Sequence, residues 1–245
     1  MTDTLLPADL ADVESPLAQG GFAFLHAPTT HALLAPYGLA DWDGFAASWN
    51  RLGLDRYMAD GGRYRRRRHA TYTVAADGIE RKKHQPHYQS RDYNELNGGI
   101  ERWFRPVEAA IGTHPALIAV LRLMRRLVTD LTPPDRRPDA WHVEIHQFRI
   151  EARAEEPGEP TPEGLHRDGV DWVLVLMVQR ENVASGETTI HDLHRRPVGH
   201  FTLTEPLDAA LVDDNRVYHG VTAVRPLDPA RPAWRDVLVV TFRHQ

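Results

Sequence analysis

From about residue 139 to the end, the chain is a succession of short β-rich segments: "WHVEIHQFRI", "DWVLVLMVQ", "ETTIHDL", "FTLTE", "DAALVDD", "YHGVTAV" and "DVLVVTF". Turns rich in Gly, Pro, Asn and Asp separate them, and no long helical pattern intervenes. Many short strands at this spacing point to a sandwich or a barrel. The preceding half is mixed. "GFAFLHA" reads as a short strand after a Gly-Gly turn, and "RYRRRRHATYTVAADG" as a strand ending in a turn. "LADWDGFAASWNRLGL" reads as a helix, with Trp42, Phe45, Trp49 and Leu52 at three-to-four spacing. "THPALIAVLRLMRRLVTDL" is the clearest helix: Thr113 can cap it, Pro115 suits the first turn, and Leu117, Val120, Leu121, Met124, Leu127 and Leu131 form one apolar stripe. The organisation expected is one domain over residues 1–245, with an N-terminal α/β support region to residue 138 and a β core over 139–245.

Composition removes several function classes. There is no cysteine, so disulfides, thiolate metal sites and cysteine nucleophiles are excluded. A net charge of −5 gives no general pull toward nucleic acid or anionic membrane. The longest apolar run, "WVLVLMV", is far short of the ~20 residues that span a bilayer. The first residues carry acids and no Lys or Arg, unlike a secretory leader, so a cytoplasmic location is expected. With 14 histidines, any single one is weak evidence of a site.

The stretch "EGLHRDGVDWVLVLMV" carries the first candidate chemistry. "HRD" also begins a kinase catalytic loop, but that loop needs an Asn five residues after the Asp, where this chain has Val173, and neither a DFG nor a G-x-G-x-x-G is present. If the motif lies where a strand begins, His166 and Asp168 share a face and Arg167 points away. One imidazole and one carboxylate are two-thirds of the 2-His-1-carboxylate facial triad of non-haem iron(II) sites. The third ligand should be a distant His on another strand, and His219 in "DDNRVYHGVTAV", roughly fifty residues on, suits it. Three ligands on one octahedral face leave room for a bidentate 2-oxo acid and for O₂. The far carboxylate of such an acid needs a fixed cation, best a bidentate arginine. Arg235, opening the last β segment, is preferred over Arg231, which lies in a Pro-flanked turn. The plain alternative makes His166–Asp168 a surface ion pair and His219 a core histidine.

With these residues in place, the chain resembles the bacterial 2-oxoglutarate/Fe(II) dioxygenase family that includes the L-isoleucine 4-hydroxylases and a biofilm/stress-motility branch. "DGGRYRRRRHATY", "PHYQSRDYNELNGGIERWF", "EIHQFRI", "GLHRDGVDWVLVLMVQRENVASGETTIHD", "DNRVYHGVTAV" and "RDVLVVTFR" carry the resemblance, from about residue 60 onward. It implies an α+β fold: a double-stranded β-helix (jelly-roll, cupin-like barrel) core with N-terminal helices packed outside. It implies Fe(II) held by His166, Asp168 and His219, with 2-oxoglutarate as co-substrate on Arg235. Many relatives carry Ser or Thr two residues after that arginine; here Val237 stands there, so a second contact must come from elsewhere, with Thr188 or Thr241 as candidates. Gln147 is a candidate amide near the co-substrate. The implied reaction is O₂-dependent hydroxylation of an unactivated C–H bond of a small molecule, by analogy a free aliphatic L-amino acid. The alternatives are a non-catalytic metal- and small-acid-binding sensor in stress or biofilm control, and a cupin-type hydrolase or isomerase. A homo-oligomer is left open.

Other features have plainer readings. In "RYRRRRH", strand alternation halves any basic patch; the arginines are expected to pair with acids or cover an outer face, with Arg63 or Arg65 as guesses for a substrate carboxylate. Gly98 and Gly99 make a tight turn that could bring Tyr88, Gln89 or Arg102 to a barrel mouth. "HDLH" (His191, His194) and "HQPH" (His84, His87) lack a matching second pair and read as surface histidines. Trp172 and Trp234 read as core or barrel-mouth aromatics. "EARAEEPGEPTPEG" reads as a solvated loop that could act as a lid.

Overall fold

The structure, a computed structural model, describes residues 9–244. Its first half contains α1 (Ala11–Gly20), β1 (Phe22–Leu25), α2 (Ala27–Leu34), α3 (Trp42–Ala47), β2 (Gly53–Leu54), β3 (Arg65–Ala75), β4 (Ile79–Arg81), α4 (Ala109–Gly112) and α5 (Pro115–Leu131). Strands then follow one another: β5 (Ala140–Ala152), β6 (Trp172–Glu181), β7 (Val183–Ser185), β8 (Glu187–Asp192), β9 (Pro197–Thr202), β10 (Ala209–Asp213), β11 (Val217–Val221), β12 (Val224–Pro226) and β13 (Ala233–Arg243).

An eight-stranded sheet runs β1-β10-β6-β13-β5-β3-β2, with β4 paired to β3. Facing it are a three-stranded sheet, β11-β8-β9, and the pair β12-β7. This is the double-stranded β-helix, with β1 to β4, from before residue 139, extending its major sheet on both sides.

Alternation along each strand divides the major sheet into two buried faces. Val143, Ile145, Leu174, Leu176, Leu238 and Val240 pack against the helices. Their neighbours Val173, Met177 and Val237 face the barrel interior. Burial on both faces explains why "WVLVLMV" is apolar throughout instead of alternating. The helix layer follows the expected stripe of α5, with Leu117, Val120, Leu121, Met124 and Leu127 buried. The cap differs from expectation. His114 is the N-cap, its side chain accepting from the Ala116 N–H, while Thr113 ends α4. With Pro115 at the first helical position, His114 is the residue whose extended backbone can enter the helix. No helix among the described residues is long and apolar enough to cross a membrane.

Candidate metal centre and cavity

His166 does not open β6. It forms an isolated antiparallel bridge with His219, each backbone N–H donating to the other's carbonyl at 2.9 Å. Residues 167–171 then turn before β6 starts at Trp172. The bridge brings the two imidazoles together, tilted 57° to each other with ring centroids 4.4 Å apart. Asp168 completes the group: its Oδ1 lies 3.7 Å from His166 Nε2 and its Oδ2 lies 3.6 Å from His219 Nε2. Both histidines are buried, which removes the surface-ion-pair reading. Arg167 points away, its guanidinium over Tyr93 and Tyr218.

The donor chemistry suits a divalent cation. The His166 Nδ1–H donates to the Gly164 carbonyl at 3.0 Å, which turns the Nε2 lone pair toward the centre. Burial, reinforced by the charge of His166, pushes His219 down to about 4 and keeps its ring neutral, the form that can ligate a metal. Burial opposes protonation of His166 too, but the carboxylates of Asp168 and Glu163 outweigh it and raise its proton affinity. That excess of negative charge is what a cation would relieve. Ligand atoms on an octahedral face with bonds near 2.1 Å sit about 3 Å apart, so the observed spacing needs only a small side-chain adjustment.

The loop carrying Asp168 is held by Asp214, whose carboxylate accepts the backbone N–H groups of Asp168, Gly169 and Val170 at 2.7–3.1 Å. Burial and the neighbouring Asp168 charge raise the Asp214 carboxyl to about 7. The Gln89 side-chain amide donates to the Asp168 carbonyl at 3.0 Å, so the segment before Gly98–Gly99 does reach the barrel mouth.

A cavity of about 310 Å³ opens in front of His166, Asp168 and His219, within the size range of small-molecule sites. Its floor is the inner face of the major sheet. Strand register sets the rows: Arg65–Ile150–Arg235, then Arg67–Phe148–Val237, then His69–His146–Val239, then Thr71–Glu144–Thr241. Arg235 is 2% exposed, and its Nε and Nη2 have no partner in the protein. Burial, then the nearby Arg180, lowers its guanidinium to about 10. Arg231 lies outside, bonded to Glu181 at 2.8 Å. Thr188 is buried on β8, opposite Val221 of the cavity wall.

Several expectations need correction. Gln147 has the opposite parity from His146 and Phe148, so it points to the helix side and donates to Ser48 Oγ at 2.8 Å. Thr241 faces the cavity, but six residues along β13 place it roughly 20 Å from Arg235, too far to share one carboxylate. The arginines of β3 alternate as expected, yet Arg65 and Arg67 face the interior; Arg66 and Arg68 pair outside with Glu151 and Glu108. Arg63 is exposed and away from the cavity. Trp172 belongs to the helix-side core, and Trp234 stacks under Arg149. Of the acidic loop, Pro160, Thr161 and Glu163 are built into the cavity wall, with Thr161 hydrogen-bonded to both backbone groups of Val221.

His84 and His194 are exposed and His191 is half-buried, while His87 is half-buried in the cavity wall. His69, His87, Glu144 and His146 bring ligand atoms together in a second cluster. Hydrogen bonds close it: Glu144 Oε2 is 2.6 Å from His87 Nδ1 and 2.9 Å from His69 Nε2. Arg67 donates to His146 Nδ1 at 2.7 Å, so the proton of that neutral ring sits on Nε2 and leaves no lone pair for a metal. A guanidinium at this distance also opposes a cation. The cluster is a hydrogen-bonded wall built on an ionised Glu144.

This wall predicts acid sensitivity. Burial outweighs the Glu144 contacts and lowers His87 to about 4. The unfolded chain therefore takes up a proton near pH 6.5 that the folded chain refuses. Stability is full above the unfolded value and falls as pH drops toward the folded one, by about 2 kcal/mol at pH 5 from this group. Denaturant midpoints between pH 7 and 5 should fall more steeply for the native chain than for His87→Asn. Parallel slopes would contradict a buried neutral His87.

Solved structures of similar shape share this fold. The chain is 36% identical to a bsmA homolog from Methylobium petroleophilum PM1, with a TM-score of 0.86 over 100% of this chain and 96% of that one. It shares the fold of IDO from Bacillus thuringiensis, at 20% identity and a TM-score of 0.77 over 97% of this chain and 100% of that one. The family model 2OG-Fe dioxygenase matches residues 46–241, and the chain belongs to that family. Among curated relatives it is 28% identical over 160 residues to the L-isoleucine-4-hydroxylase of Bacillus thuringiensis. It is 30% identical over 162 residues to the 3(1)-hydroxy-L-isoleucine 4-dioxygenase of Pantoea ananatis. Each match covers about two thirds of this chain and 65% of the relative's length.

Proposed function

We propose that the protein is an Fe(II)- and 2-oxoglutarate-dependent dioxygenase that hydroxylates an unactivated C–H bond of a small molecule, a free aliphatic L-amino acid. The observation that carries this reading is the pairing of an open His166–Asp168–His219 face with a fully buried Arg235 in one cavity. His166, Asp168 and His219 would hold the iron. Arg235 would take the far carboxylate of 2-oxoglutarate through its unpartnered Nε and Nη2, with Thr188 as a candidate second contact.

Bound Fe(II) and 2-oxoglutarate supply the oxidising chemistry with O₂. The chain's own share is geometric and electrostatic. Asp214 fixes the turn that presents Asp168. Val173, Val175, Val237 and Val239 line the cavity with apolar surface that excludes water. Relatives named for hydroxylation of isoleucine and hydroxyisoleucine support the substrate class. The reading places the protein in the cytoplasm, where such substrates are free. The alternative is a sensor that binds the same groups without turnover.

Succinate release by the iron-loaded protein separates the two. Release that depends on O₂ and rises several-fold with L-isoleucine, L-leucine or L-valine is expected. Tight 2-oxoglutarate binding with no succinate release under any of them would favour the sensor.

A further inference from the structure

Three guanidiniums converge at the β3 side of the cavity. That of Arg67 lies between two rings, 3.5 Å from the Phe104 centroid and 4.4 Å from that of Phe148. Arg102 lies 5.7 Å from the Phe104 centroid, and Arg65 lies 5.6 Å from that of Phe148. The rings support the cations without neutralising them. Among the described residues, the one carboxylate in ion-pair range is Asp55, with Oδ2 at 2.8 Å from Arg65 Nε and 3.6 Å from Arg67 Nη1. Arg102 has only a long contact to Gln89 Oε1, at 3.4 Å.

Glu144 and Glu163 act on the group only at longer range, so a single carboxylate, Asp55, is directly paired with its three charges. All three side chains are at least nine-tenths buried, and each has a nitrogen with no partner: Arg65 Nη2, Arg67 Nε and Arg102 Nε. Burial, with the like charges of the group, depresses the proton affinity of Arg67 and Arg102. Buried, under-compensated guanidiniums lining a ligand cavity are costly unless an anion joins them.

We propose that Arg67 and Arg102 form the subsite that takes the carboxylate of the substrate, with the Arg65–Asp55 pair bracing it. This rests on the dioxygenase reading above. The co-substrate has its own anchor. Arg235 lies two strands from β3 across Ile150, about 10 Å away by strand spacing, and nearer the minor sheet through Gly186. A substrate held by its carboxylate at the β3 side extends its side chain over Val237 and Val239 toward the ligand face. The subsite thus reads the carboxylate of an amino acid and leaves its aliphatic carbons to be positioned by the apolar floor.

Calorimetry under anaerobic conditions on protein loaded with Fe(II) and 2-oxoglutarate tests this. L-isoleucine is expected to bind, and 2-methylbutylamine, the same side chain without the carboxylate, is expected not to. Arg102→Gln should weaken L-isoleucine by roughly ten- to a hundredfold, the range for losing a charged hydrogen bond, and Arg102→Lys should recover part of it. Three results overturn the subsite. They are equal binding of amine and amino acid, wild-type L-isoleucine affinity in a folded Arg102→Gln protein, or a loaded wild type that binds no L-isoleucine. A wild type that never forms the Fe(II)·2-oxoglutarate complex fails earlier, and removes the dioxygenase reading itself.

Discussion

Asp168→Ala is expected to weaken Fe(II) binding by more than about a hundredfold and to abolish succinate release. The carboxylate lies between the two imidazoles, 3.6–3.7 Å from each. It is also the charge that offsets a divalent cation in this centre. Changes in residues that merely orient ligands cost ten- to a hundredfold in metal affinity, so loss of a ligand should cost at least as much. The backbone turn should survive, because Asp214 holds it through N–H groups that alanine keeps. Metal titration of the purified variant, with its melting temperature as a folding control, reads the effect. Wild-type iron affinity in a folded variant would sink the ligand assignment.

Arg235→Ala is expected to raise the 2-oxoglutarate requirement by about a hundredfold or more while sparing Fe(II) binding. A buried guanidinium that receives a carboxylate forms a bidentate, desolvated pair, and deleting one partner of such a pair costs several kcal/mol. Arg231→Ala should leave the requirement unchanged, since Arg231 is exposed and already bonded to Glu181. Surface pairs of that kind contribute little. Initial rates against 2-oxoglutarate for both variants decide it. A shift in Arg231→Ala alone would mean that the co-substrate lies outside the cavity described.

The parts of the site legible in the sequence are those fixed by local pattern. Closely spaced β segments imply a barrel, H-x-D places an imidazole and a carboxylate two residues apart, and an arginine at the head of a strand can be held rigidly. What the sequence hid was which side of a strand faces inward. Alternation shows that Arg65 and Arg67 share a face, but not that the face is the cavity. Gln147 fails as a co-substrate contact for the same reason: one position along β5 turns it to Ser48. His87 looked like a surface residue because its partners His69, Glu144 and His146 come from distant strands. Asp214 carried no local signal, since it acts on backbone groups more than forty residues away.

The central claim is an open three-ligand iron face beside a 2-oxoglutarate anchor. The most direct test is visible absorbance of the apoprotein during anaerobic addition of Fe(II) and then 2-oxoglutarate. The account predicts a weak charge-transfer band that needs both additions and disappears in His219→Ala. Tight Fe(II) binding with no band on adding 2-oxoglutarate would contradict it.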